Sequence, residues 1–326
     1  MSRRRLEDGL LGVMLGDALG VPHEFKSREQ LRLQPVTEME GYGTHQQPAG
    51  TWSDDGALSW SLAEALEDGF DLRRIAEGMV RWKNEAEYTA HGEVFDIGST
   101  TARSIDELEE MLQHSGSDHF RELMDRSEER DNGNGSLMRI LPLLGAIVQQ
   151  PIEMQWEKVC AVSALTHRHI RAAMCCMLYL KVAEGLLLGR DKRRAFEDGL
   201  RSTKMLWALI AYPDKERSVL ARIVSEEFLR DALDDIHSTG YVVDALELSL
   251  WIFLKSDSYE QAVLMAVNAG GDTDTNAAIT GGLAGLYYGR EGIPAGWSAE
   301  LDRRFQMQGF YQLGWRNINP PPETKV

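Results

Sequence analysis

Glycines 12, 16 and 20 stand four apart, the first two inside and the third just after a stretch, residues 3–19, that reads as helix. That spacing puts them on one helix face. Glycine inside a helix costs roughly 1 kcal/mol relative to alanine, so a stripe of it marks a close approach by another backbone. A second such helix stands near the other end of the chain, where residues 277–286 carry Gly281, Gly282 and Gly285. Tight helix packing is enough to explain the first stripe. If the two stripes pack on each other, the loop after Gly20 comes to lie beside the turn before Ala277, and Asp272 approaches Glu24.

That turn reads Asn268-Ala269-Gly270-Gly271-Asp272-Thr273-Asp274-Thr275. Asp272 has a plain reading as a helix N-cap, its oxygen accepting from free amides of the first turn. The plain reading leaves Asp274 and Thr275 unused. A comparable turn, Thr51-Trp52-Ser53-Asp54-Asp55-Gly56, precedes a helical run nearer the start. Two acidic, hydroxyl-bearing turns suggest one site of hard oxygen ligands for a hard cation. An EF-hand is excluded, because the sixth and twelfth positions from Asp272 hold Ala277 and Leu283 in place of glycine and glutamate. Four carboxylates gathered without partners repel one another strongly. Paired divalent ions would resolve that, and Ser53, Asp54, Asp55, Asp272, Asp274 and Thr275 are a suitable donor set for two Mg2+ or Mn2+. Glu24 follows Pro22, which disfavours helix at Val21, so it belongs to a loop. By itself a loop glutamate is ordinarily just exposed.

Helical periodicity runs through most of the 326 residues: 56–67, 72–83, 105–112, 120–124, 156–165, 170–188, 195–210, 219–229 and 241–253. Residues 30–50 look irregular. The turn 132–136, Asn-Gly-Asn-Gly-Ser, lets backbone approach a ligand, and a helix starting there would favour an anion. No long β-alternation is present. The expectation is therefore an all-α fold: one compact domain over 1–326, with its core in about 6–300 and a loose tail at 318–326.

The net charge of -16 argues against a nucleic-acid partner, which needs clustered Lys and Arg. Basic residues 3–5 before an apolar run faintly imitate a signal peptide, but Glu7, Asp8 and Asp17 interrupt it. No apolar run approaches the ~20 residues of a membrane helix. Cys160, Cys175 and Cys176 lack metal spacing and read as buried thiols of a reducing compartment. A cytoplasmic protein without membrane attachment is expected.

Six pieces occur in order that resemble those of the ADP-ribosylglycohydrolase family. They are Gly16-Asp17-Ala18-Leu19-Gly20 with Glu24; Ser53-Asp54-Asp55; Asp96-Ile97-Gly98; Gly133-Asn134-Gly135-Ser136 with Arg139; Thr166-His167; and Gly270 to Thr275. Ser53 stands where that family usually has threonine, and a hydroxyl is kept. The resemblance implies a compact orthogonal helical fold and a dinuclear metal centre held by Ser53, Asp54, Asp55, Asp272, Asp274 and Thr275. It implies hydrolysis of ADP-ribose from modified protein side chains. Gly98, Asn134, Gly135, Ser136 and His167 would contact the nucleotide sugar. Glu24, Asp96 and Asp55 would form the catalytic set, with Glu24 or Asp96 handling the proton. The Asp96-Ile97-Gly98 piece is similar to the arginine-directed branch, and Asp96 suits a guanidinium. Another ADP-ribose linkage is the alternative. So are a relative that only binds ADP-ribose and an immunity factor that occupies a cognate ADP-ribosyltransferase.

Overall fold

The computed structural model describes residues 2–113 and 118–304, and every structural statement below concerns those; the tail expected at 318–326 lies outside them. Among the described residues there are α-helices and short 3-10 turns, with two isolated β-bridges and no strand. One continuous apolar core runs from Leu6 to Leu301.

The two glycine-striped helices, Ser2–Gly20 and Thr273–Tyr288, pack on each other over most of their length. Their contacts run in opposite directions: Gly12 meets Gly281, Gly16 meets Ala277 and Gly20 meets Asp274. The pair is antiparallel, and the end of one helix delivers the loop of Glu24 to the start of the other. Thr273 Oγ1 donates to the carbonyl of Gly20 at 2.8 Å and closes that junction.

A Cβ added at Gly16 would sit 2.1 Å from the Ala277 carbonyl oxygen, which is backbone and cannot swing aside. In an exposed helix Gly→Ala gains about 1 kcal/mol. Here overpacking, typically about 1–3 kcal/mol and sometimes more, opposes it. Gly16→Ala is expected to lower stability by about 2 kcal/mol or more, read as a lower midpoint in urea, and to cut activity because the helix carrying Asp274 must shift.

Helix Asp54–Ala65 leans on the N-terminal helix, and helices Leu72–Glu85 and Ser99–Leu112 follow it in the packing. Ile170–Leu187 is buried along nearly its whole length. Val242–Lys255 and Tyr259–Asn268 complete the wall behind Thr273–Tyr288.

Two expectations need correction. The helix expected over 219–229 is broken into Asp214–Val219, Ala221–Val224 and a 3-10 turn Glu227–Arg230, with Glu226 left-handed at φ 65°. The stretch 30–50, expected to be irregular, begins inside a short helix, Arg28–Leu33, which Ser27 and Gln30 close with a capping box. Arg28 then donates to three backbone carbonyls, of Leu233, Ile236 and Ala269, at 2.6–2.8 Å, which ties the acidic turn to the loop around Asp234. Asp234 and Asp235 occupy an exposed turn.

Candidate active site

The two acidic turns lie together. One carboxylate cluster is Asp17, Asp55 and Asp274; a second is Glu24, Asp272 and Asp274. Within each cluster the candidate ligand oxygens lie within 4.8 Å of one another, and Asp274 belongs to both. The hydroxyls come with them: Ser53 Oγ lies 3.3 Å from Asp55 Oδ2 and 3.5 Å from Asp54 Oδ1, and Thr275 Oγ1 lies 3.5 Å from Asp55 Oδ2.

Asp272 opens its helix but makes no side-chain cap bond. Its Oδ2 accepts from Asn134 Nδ2 at 2.8 Å instead, so the plain capping reading fails. Gly270 and Gly271 hold φ of 72° and 75°, the left-handed region that turns the chain sharply into the helix. The other acidic turn is capped from outside. Asp17, wholly buried in the N-terminal helix, accepts from the Ser53 amide at 2.9–3.0 Å, the Ser53 hydroxyl at 2.9 Å and the Gly56 amide at 2.7 Å.

Burial pushes Asp54, Asp55 and Asp274 well above the ordinary carboxylate range, and the neighbouring carboxylates push the same way. Asp96 is raised to about 6 and Asp17 to about 7, both chiefly by burial. Asp55 Oδ1 and Asp274 Oδ2 are buried and accept no hydrogen bond. Orphaned acceptors facing like charges are what a cation would satisfy, and the donors are all hard oxygens. The residues present therefore fit divalent metal.

A cavity of about 430 Å³ opens above this floor. Glu24, Asp54, Asp96, Asp272 and Thr275 line one part of it, and Gly98, Asn134, Gly135 and His167 another. Ser136 does not reach the cavity. Its side chain is fully buried behind the loop, where its hydroxyl accepts from Ser163 Oγ at 2.9 Å. The loop also differs from the expected helix start, since Asn134–Ser136 is a single 3-10 turn tied to Tyr241 by the Gly133 bridge.

His167 packs against that loop: a Cβ at Gly135 would meet its Cε1 at 2.6 Å. Behind it, buried Arg139 donates to Thr166 Oγ1 at 2.8 Å, and Thr166 Oγ1 is 2.9 Å from His167 Nδ1. The threonine hydroxyl accepts from Arg139 and still has its proton free to donate to Nδ1. Burial first and Arg139 second lower His167 to about 3 and hold it neutral, and with Thr166 donating to Nδ1 its proton sits on Nε2.

Two residues of the site carry no assigned role in the sequence reading. Asp17 is one. The other is His45, whose Nε2 lies 2.5 Å from Glu24 Oε2 and 3.7 Å from Asp96 Oδ1. The Glu24 contact raises the His45 value.

A pH effect on stability follows for the metal-free protein. Carboxyls raised in the folded state bind more protons than the unfolded chain, whose aspartates titrate near 3.8. Their contribution is complete below that value and is lost as pH rises through about 6 for Asp96 and about 7 for Asp17. Metal binding competes with those protons. The difference in Tm between metal-loaded and chelator-treated protein is expected to widen by several degrees from about pH 5 to about pH 8. A constant difference across that range would show the cluster does not titrate as a unit.

Among the described residues no helix is long and apolar enough to cross a membrane. All three cysteines are free thiols, two of them buried.

The comparisons with known proteins agree with this geometry. The family model for ADP-ribosylglycohydrolase matches residues 2–316. The chain is 31% identical over 296 residues to ADP-ribosylarginine hydrolase Tri1 of Pseudomonas putida, covering 90% of this chain and 73% of the relative. It is 27% identical to the ADP-ribosyl-[dinitrogen reductase] glycohydrolase of Rhodospirillum rubrum, covering 91% and 90%. A solved structure described as an ADP-ribosylglycohydrolase-related protein complex superposes with a TM-score of 0.75 at 26% identity, covering 97% of this chain and 98% of the other. With helical architecture, joined acidic turns and a match along almost its full length, the chain belongs to the ADP-ribosylglycohydrolase family.

Proposed function

We propose that this hydrolase cleaves the N-glycosidic bond between ADP-ribose and an arginine side chain of a modified protein, and that it works with two divalent ions, Mg2+ or Mn2+. The observation that carries the reading is the pair of carboxylate clusters sharing Asp274 beneath a cavity that ends in Glu24 and Asp96. The arginine linkage is supported by the 31% identity to an ADP-ribosylarginine hydrolase and by two carboxylates at the cavity wall.

Ser53, Asp54, Asp55, Asp272, Asp274 and Thr275 would hold the ions. Bound there, they would supply positive charge to orient ribose hydroxyls and to make a water acidic. The chain's own groups do the rest. Asn134, Gly135, Gly98 and the Nε2–H of His167 receive the ADP-ribose, the histidine as a neutral donor. Asn134 also steadies Asp272, so substrate loop and acidic turn move together. Water adds to the anomeric carbon as the C–N bond opens through an oxocarbenium-like state. Glu24 takes the proton from that water and passes it to the departing nitrogen, which keeps the electron pair of the broken C–N bond and leaves within a guanidinium group paired with Asp96. Asp17 holds the Ser53–Asp55 turn in place, and His45 positions Glu24 and Asp96, neither of them touching the sugar.

ADP-ribose release from an arginine-modified protein, with and without EDTA, tests the proposal. Release that EDTA abolishes and Mg2+ or Mn2+ restores is expected; no release, or release indifferent to EDTA, would overturn it. Tight binding of a cognate ADP-ribosyltransferase that survives Asp54→Ala and Asp274→Ala would favour a binder in the reducing cytoplasm instead.

A further inference from the structure

We propose that Phe25 is a specificity-determining residue, its ring face receiving the guanidinium group and adjoining methylenes of the arginine acceptor beside Glu24 and Asp96. The inference rests on the arginine reading above and names the group that recognises that acceptor.

Phe25 lines the acidic cavity yet is 70% exposed. Its backbone is left-handed at φ 64°, a conformation a bulky side chain avoids. The conformation is enforced by a backbone pair: Phe25 N–H donates to Gly271 O at 2.8 Å, and Gly271 N–H donates to Lys26 O at 2.9 Å. The backbone that carries the ring is thereby stitched to the turn of Asp272. Asp96, across the same wall, is left-handed too, at φ 56°. Left-handed residues other than glycine concentrate where function fixes a side chain's direction.

The ring is not isolated. Phe25 and His45 lie with centroids 6.2 Å apart, and His45 and Phe95 5.4 Å apart, both pairs tilted. His45 is also the residue that contacts both Glu24 and Asp96. An aromatic row thus runs alongside the two carboxylates, with Phe25 at its exposed end. The nucleotide-facing groups, Asn134, Gly135 and His167, stand on other elements of the cavity. ADP-ribose lying over them presents its anomeric bond near the acids, and the acceptor leaves past Phe25.

A guanidinium has two faces and an edge. The edge forks to a carboxylate; the weakly hydrated face stacks on an aromatic ring. Carboxylates alone recognise any cation. Carboxylate edge and ring face together select a planar one, and a neutral hydroxyl acceptor such as serine gains from neither.

Phe25→Ala and Phe25→Tyr are compared on two arginine substrates, an ADP-ribosylated protein and ADP-ribosylagmatine, with ADP-ribose affinity measured by calorimetry. Wild-type turnover is read first: if neither arginine substrate is cleaved, the arginine reading fails and the Phe25 assignment with it. Given turnover, Phe25→Ala is expected to raise KM for both substrates by about tenfold, the size of one partly desolvated cation–π contact, with little change in kcat. ADP-ribose affinity should hold within about twofold, and Phe25→Tyr, which keeps the π face, should recover most of the loss. An unchanged KM overturns the proposal while leaving the arginine reading intact. A KM rise confined to the protein substrate also overturns it, since Phe25 would then meet the target's surface. A parallel loss of ADP-ribose affinity overturns it as well, by placing the ring on the nucleotide.

Discussion

Replacing Asp274 by asparagine is expected to lower kcat/KM by at least about a thousandfold, because metal-supplied charge stabilisation is worth several kcal/mol in such sites. The same change is expected to make the metal-free protein more stable. The two effects have opposite signs for one reason. Asp274 is 1% exposed, one of its oxygens has no partner, and its neighbours are acids. Burying an unpaired carboxylate among others costs several kcal/mol. Asparagine keeps the shape, loses the charge and offers an N–H to an adjacent carboxylate. A gain of about 1–2 kcal/mol would appear as a Tm several degrees higher in EDTA. Wild-type protein should recover stability only with metal, by about 2.7 kcal/mol at a hundredfold excess over Kd, and the variant should lose most of that response. Asp55→Asn should behave alike, since Asp55 is as deeply buried and also has an orphaned oxygen. A variant that loses activity and metal-free stability together would mean the aspartate serves the fold.

The glycine stripes and acidic turns were legible in the sequence because each breaks a local rule. Glycine every fourth residue weakens a helix unless something lies against it, and the structure puts Gly281, Ala277 and Asp274 there. Carboxylates beside hydroxyls and glycines exceed what capping needs, and the surplus is the site. What stayed hidden breaks no rule. Asp17 is one acid in a helix until the Ser53 and Gly56 amides arrive from another element. His45 stands in a loop without ligand spacing, and its place depends on the Tyr42–Gln47 bridge and on Thr44 N–H meeting Pro22 O. Ser136 illustrates the converse. A Gly-Asn-Gly-Ser string announces a ligand loop but does not tell which side chains face the ligand, and this one turns inward. The fractured 219–229 segment kept its apolar period, since Leu220, Ile223 and Phe228 are all buried. Period reports the buried face and is silent on a left-handed residue at 226. Ser27 and Gln30, by contrast, spelled a capping box that the Pro/Gly-rich surroundings masked.

Glu24→Gln and Asp96→Asn should separate the two acids by which kinetic constant moves. Losing a proton-transfer group typically costs 10²–10⁴-fold in rate, so Glu24→Gln is expected to lower kcat by about that factor with KM little changed, on arginine-linked and serine-linked ADP-ribose alike. Asp96→Asn removes a charge that serves the guanidinium and takes no part in the proton transfer. A charge-assisted bond contributes about 1.5–3 kcal/mol, which converts to roughly 10- to 100-fold in kcat/KM on arginine-linked substrate, with little effect on a serine-linked one. Asparagine tolerates the left-handed backbone at 96, so the substitution tests charge and not strain. His45 makes the comparison sharper. It contacts both acids, at 2.5 Å from Glu24 and 3.7 Å from Asp96, so loss of either one leaves it facing the other. If Asp96→Asn leaves arginine cleavage intact, Asp96 does not recognise the acceptor. If it abolishes cleavage of both linkages while Glu24→Gln is mild, the proton belongs to Asp96 and the two assignments exchange.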